Sequence, residues 1–156
     1  MEVILDPTAL LETVPGSGKR LFRLARRFNF IIDGAYGYAD EGFITDLAST
    51  PLGIDNDEPY ILRAAILHDL YCQHAGSPPN CPTLTRAQTN RAFREAMRFC
   101  GASFSRRWIA WIGVTAWTFF NWHPEIVANR RTSLRVSMKQ AAITHETETR
   151  KTPGNG

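Results

Sequence analysis

The hydrophobic period of this chain changes once, and that change limits the fold more than any other feature. Up to residue 45 the apolar residues alternate, as in Phe28, Phe30 and Ile32, then Tyr36 and Tyr38, then Phe43 to Thr45. Alternation of period two marks half-buried strands. From residue 57 the spacing becomes three and four, with Ile61, Leu62, Ala65, Ile66 and Leu67 building one apolar surface. Strands first and helices afterwards point to an α+β domain rather than an alternating α/β one. Asp33-Gly34 separates the first two strands, and this dipeptide readily supplies the positive φ angles of a two-residue hairpin.

The expected architecture is a small antiparallel β-meander packed against about three α-helices. Its first strand runs from Arg20 to Ile32, its second carries Tyr36 and Tyr38, and its third is Phe43 to Thr45. Residues 1–18 read as a loop-like lead-in because Pro7, Pro15, Gly16 and Gly18 interrupt them. The first helix takes Asp57 as N-cap and Pro59 in its first turn, and runs to about Cys72. Thr85 and Gln88 form a capping-box pattern for the second, which stops at Gly101. The third starts after Ser103 or Ser105 and ends before Pro124. There is no internal repeat and no heptad series.

A length of 156 residues suits one core, so a single domain over residues 1–125 is expected, followed by a basic tail over 126–156. The tail holds six Lys and Arg against two Glu, and residues 146–156 offer no apolar side chain to offset the entropy of ordering them. It is therefore expected to be flexible and partly disordered. The net charge of +3 lies in that tail rather than on a folded face, which argues against nucleic acid as the primary partner. Trp108 to Trp122 is uncharged but too short to span a bilayer comfortably, so no membrane span is expected. The first residues are acidic where a signal peptide is basic, so no signal peptide is expected. Cys72, Cys81 and Cys100 cannot all pair within one chain and read as reduced. Gly16-Ser17-Gly18-Lys19 suggests a phosphate loop, but Arg20 stands where a Ser or Thr is required.

Candidate chemistry centres on Ala64 to Tyr71, where His68 and Asp69 are adjacent ionisable groups inside an apolar helix. Helical geometry turns both toward the packed side, and burial there costs several kcal/mol unless the groups are hydrogen-bonded, paired or metal-bound. An imidazole nitrogen and a carboxylate are ordinary ligands of zinc or manganese. The alternative is a structural role: His68 could bond a backbone carbonyl, and Asp69 could cap the loop from Gly42 to Pro51, with no ion at all. Asp46, at the edge of the third strand, is the nearest preceding carboxylate in an apolar setting. It is expected to converge with His68 and Asp69, as a ligand, as a general base, or as part of a structural cluster. Its own local alternative is an Asx-turn or a short cap. His123 could complete such a site if the third helix ends beside the first. A His at a helix end more often meets the last carbonyls.

Together, Phe22 to Ile32, the run Gly42-Phe43-Ile44-Thr45-Asp46-Leu47-Ala48-Ser49-Thr50-Pro51, the run Ala64-Ala65-Ile66-Leu67-His68-Asp69-Leu70-Tyr71, and Arg86 to Gly101 resemble domain-of-unknown-function family 1353 of phage and prophage proteins. The resemblance implies a small α+β domain and a phage accessory or virion-associated protein without an established activity. It also implies other phage proteins as partners, in the host cytoplasm or the virion. Members usually carry Asp where this chain has Asn90, an uncharged and weaker ligand. The His-Asp pair is also similar to the central motif of HD-type metal phosphohydrolases, although no His precedes His68 here. That likeness implies the alternative function, a small metal-dependent hydrolase acting on cell-wall peptide or a phosphoester. One divalent ion, zinc or manganese, would sit on Asp46, His68 and Asp69, with Asn90 or His123 in support.

Overall fold

A computed structural model describes residues 1–14, 21–47 and 59–122. Its elements are β1 (Val3–Leu5), β2 (Leu11–Thr13), β3 (Phe22–Leu24), β4 (Phe28–Ile32), β5 (Ala35–Ala39), β6 (Ile44–Thr45), α1 (Pro59–Gln73), α2 (Arg86–Phe99) and α3 (Phe104–Asn121). The fold is α+β, as its hydrophobic pattern requires.

Asp33 and Gly34 both take positive φ, 49° and 81°, and close the β4–β5 hairpin between the paired residues Ile32 and Ala35. Along β4 the buried positions are Phe28, Phe30 and Ile32, so alternation places one face on the core. Phe30 is paired with Gly37 of β5, and a Cβ on Gly37 would lie 2.5 Å from the Phe30 ring. The missing side chain makes room for the aromatic one.

The single meander is corrected to two three-stranded antiparallel sheets, ordered β1-β4-β5 and β2-β3-β6. The expected long first strand is broken at Ala25–Arg27 into β3 and β4, one for each sheet. Hydrogen bonds hold this bend: Ala25 N donates to Leu10 O at 3.0 Å, and the Arg26 Nε donates to Thr8 O at 2.8 Å. Alternation continues across such a bend, so periodicity alone cannot reveal it. β6 pairs with β3 through Phe22 and Thr45, not with β5. The lead-in is corrected too, because residues 3–5 and 11–13 are strands. Three-residue strands are too short to show a period of their own. Val3 and Leu5 gain order from pairing with Ile32 and Phe30.

The helices begin and end for local reasons. Thr85 Oγ1 accepts from Gln88 N while Gln88 Oε1 accepts from Thr85 N, the expected capping box. At the other end of α2, Gly101 has φ 90°, Ala102 N donates to Met97 O, and Gly101 N donates to Arg98 O. This pair of bonds satisfies carbonyls that would otherwise be orphaned. After α1 the chain turns at Gly76, whose carbonyl accepts from Leu84 N at 2.8 Å. Any Cβ at Gly76 would lie 2.0 Å from Leu84 O.

α2 packs between α1 and α3 and also touches β1, while α1 reaches β6. Phe28, Phe30, Tyr71, Phe93, Ile66 and Met97 fill the space between the β4 face and the helices. The Asp57 cap, the end of the Gly42–Pro51 run, the glycine-lysine loop, His123 and the tail lie outside the described residues.

Candidate functional site

The middle of α1 buries its two ionisable groups completely or nearly so: His68 is 0% and Asp69 2% exposed. Adjacent helical residues point about 100° apart, so the two groups meet different neighbours. His68 faces α2 and Asp69 faces β6.

On the α2 side, His68 Nε2 lies 3.0 Å from Asn90 Oδ1, and the ring packs against Phe93 with centroids 5.2 Å apart. Asn90 Nδ2 donates in turn to Thr118 Oγ1 of α3 at 2.8 Å, and Thr118 Oγ1 donates to Thr115 O at 3.2 Å. The amide oxygen can only accept, so Nε2 carries the proton in this arrangement. Cys72 Sγ, one helical turn further, stands 3.6 Å from Nδ1 and 3.8 Å from Nε2. A series of hydrogen bonds thus runs from His68 through Asn90 and Thr118 to a backbone carbonyl. It joins all three helices.

On the sheet side, Thr45 Oγ1 donates to Asp69 Oδ2 and accepts from Leu47 N at 3.1 Å. Gln73 Nε2, one helical turn further, donates to Ile44 O at 2.9 Å. These bonds fix α1 on β6. Asp46 is half-buried between Thr45 and Leu47, and Leu47 takes a φ of 49° that non-glycine residues seldom adopt. The expected approach of the third strand to the His-Asp pair is therefore observed through Thr45, the residue beside Asp46.

Sequence reasoning placed His68 and Asp69 on the packed side and marked Asn90 as a neighbour of the site. It missed Thr45, Thr118 and Cys72 as partners. Thr118 had a signal, as a hydroxyl in an otherwise apolar helix, but its partner is 28 residues away and only the packing of α2 on α3 reveals it. Among the described residues, no three His, Cys, Asp or Glu side chains are grouped to hold a metal ion. Burial pushes the Cys81 and Cys100 thiols up from their ordinary range, which disfavours the reactive thiolate. Burial likewise raises Tyr71, whose hydroxyl donates to Pro82 O at 3.0 Å.

The fold and its centre define a small α+β protein whose buried polar side chains join three helices and a two-residue strand. The chain belongs to the family described as Protein of unknown function (DUF1353), whose model matches residues 22–114. That span takes in every member of the polar series except Thr115 and Thr118 of α3. No curated protein and no solved structure matches the chain. Among the described residues, no helix is long and apolar enough to cross a membrane.

Proposed function

We propose that this protein is an accessory or virion-associated protein of a phage or prophage, working with other phage proteins in the host cytoplasm or the virion. In this reading the polar centre is architectural. Resemblance of the motif runs to phage and prophage proteins supports the setting. The observation that carries the architectural role is that His68 Nε2, the Asn90 amide and the Thr118 hydroxyl bond one another and a backbone carbonyl. A buried network satisfied in this way fixes one packing of the helices, and each member is costly to remove. Asn90 contributes no charge to the centre, which suits a hydrogen-bonded junction better than a cation site.

The test is His68→Ala, measured by chemical denaturation with and without a chelator, beside metal analysis of the purified protein. The expected result is a loss of about 3 kcal/mol, from the unsatisfied Asn90 oxygen together with the cavity left by the ring. The loss should be the same in both buffers. Stoichiometric zinc or manganese in the native protein, absent from the variant, would overturn this reading. It would favour instead a metal-dependent hydrolase acting on cell-wall peptide or a phosphoester, with the ion on Asp46, His68 and Asp69.

A further inference from the structure

Among the described residues, α3 holds five large apolar side chains that stay exposed: Phe104, Ile109, Ile112, Phe119 and Phe120, at 48–70%. Its buried stripe is narrow: Ala110, Val114 and Thr118, at spacings of four, lie against α2. At about 100° per residue, Trp108, Ile109, Ile112, Ala116, Phe119 and Phe120 fall within an arc of about 120° centred opposite Val114. No charged residue of the helix falls in that arc. The five exposed side chains together present on the order of 600 Å², a patch of the size that marks a contact with a partner or a membrane.

Arginines line one edge of this face. The guanidinium of Arg107 lies 5.2 Å from the Phe104 ring, that of Arg94 4.5 Å from Trp108, and that of Arg86 5.1 Å from Phe119. They are spread along the helix, over about 22 Å from Phe104 to Phe119. Arg94 also bridges Glu95 at 3.2 Å, whereas no carboxylate of the described residues pairs with Arg86 or Arg107. Between Glu95 and Glu125 the chain has no acidic residue at all. A second copy of the face would bring arginines together with nothing to neutralise them. The patch also falls short of the roughly 800 Å² that each partner of a standard interface buries. A layer of lipid phosphates, by contrast, offers every arginine a counter-charge. Aromatic and aliphatic residues on one side of a helix, with basic residues beside them, hold a helix in the plane of a bilayer surface.

We propose that the outer face of α3 is a docking surface for an anionic lipid bilayer. The helix lies along the membrane surface without crossing it, with Ile109, Ile112, Phe119 and Phe120 at the acyl boundary and Arg86 and Arg107 on lipid phosphates. A guanidinium fork matches the oxygens of a phosphate. An open cleft of about 540 Å³ bordered by Arg86, Phe119, Phe120 and Trp122 gives a headgroup room beside the Arg86 side chain.

The test uses the full chain. All four tryptophans, Trp108, Trp111, Trp117 and Trp122, belong to α3 or to the residue that ends it, so tryptophan emission reports on this helix. Phosphatidylglycerol vesicles should shift the emission to shorter wavelength and phosphatidylcholine vesicles should not, and about 0.5 M NaCl should weaken the binding several-fold. Ile112→Gln combined with Phe119→Gln leaves the charge unchanged and should lower vesicle affinity about tenfold or more. Without lipid, the Tm of that variant should stay within about 4 °C of the parent, because both side chains are exposed already. Arg86→Ala combined with Arg107→Ala should also lower vesicle affinity about tenfold or more. No binding to phosphatidylglycerol, or equal binding to both lipids, would overturn the proposal. Undiminished binding of the Ile112/Phe119 variant would assign the vesicle contact to basic residues elsewhere in the chain. A larger loss of lipid-free Tm in that variant would mean that the protein itself covers the face, and a full-length dimer that the variant converts to monomer would assign it to a second copy. Each of these three results overturns the proposal as well.

Discussion

The middle of α1 and the outer side of α3 invert the usual distribution of polarity in opposite ways. α1 takes an imidazole and a carboxylate inside, at 0% and 2% exposure, while α3 leaves Ile112 and Phe119 at 60%. The inward polar groups are stable because neighbouring elements supply partners: Asn90 from α2 and Thr45 from β6. The outward apolar groups have no such account among the described residues. A buried polar group is explained by the hydrogen bonds around it, whereas an exposed apolar face must be explained by something that covers it.

The comparison is broken most strongly at Asn90, which serves both neighbours. Asn90→Ala should destabilise by about 3 kcal/mol in urea, because His68 Nε2 loses the oxygen it donates to, the Thr118 hydroxyl loses a donor, and a cavity is left between the helices. A loss below about 0.5 kcal/mol would mean that the series of bonds adds nothing to helix packing. Thr118→Val keeps the volume but removes one acceptor, so a smaller loss of about 1–2 kcal/mol is expected. That substitution sharpens the comparison, since it tests the polar link between α2 and α3 without touching the outer face.

On the apolar side the expected effects are smaller. The Arg86 guanidinium lies over the Phe119 ring at 5.1 Å, and Arg86→Ala should cost about 0.5–1 kcal/mol, read from the same denaturation curves. The smallest effect belongs to the chain end. Truncation after Thr144 should leave Tm unchanged, because residues 146–156 carry no apolar side chain to bury. A shift of several degrees on that truncation would mean that the chain end contributes to stability after all.

Legibility in the sequence followed the range of the interactions. The Asp33-Gly34 hairpin, the Thr85 and Gln88 capping box and the Gly101 terminus are set by residues within a few positions of one another, and all were readable. The inward orientation of His68 and Asp69 followed from helical geometry. Division of the strands between two sheets did not, because Leu24 and Phe28 keep one alternation across a bend held by Leu10 and Thr8. The partners of the site were hidden for the same reason: Thr45 and Asp69 are 24 residues apart and meet only once β6 lies on α1. The exposure of Ile109, Ile112 and Phe119, beside the half-buried Trp108, Trp111 and Trp117, likewise became visible only with α3 packed on α2.

The closure between Gly76 and Leu84 has a consequence for how this chain can vary. Because those two residues meet backbone to backbone, the separation of α1 from α2 is set at the base of their connection and not at its tip. Cys81 and Pro82 add anchors to Tyr38 and Tyr71, whereas Pro79 and Asn80 are exposed. Added residues between Pro79 and Asn80 would lengthen a loop whose ends are already joined, and loop entropy grows slowly with length. A peptide tag inserted there would project from the molecule while His68 and Asn90 kept their distance.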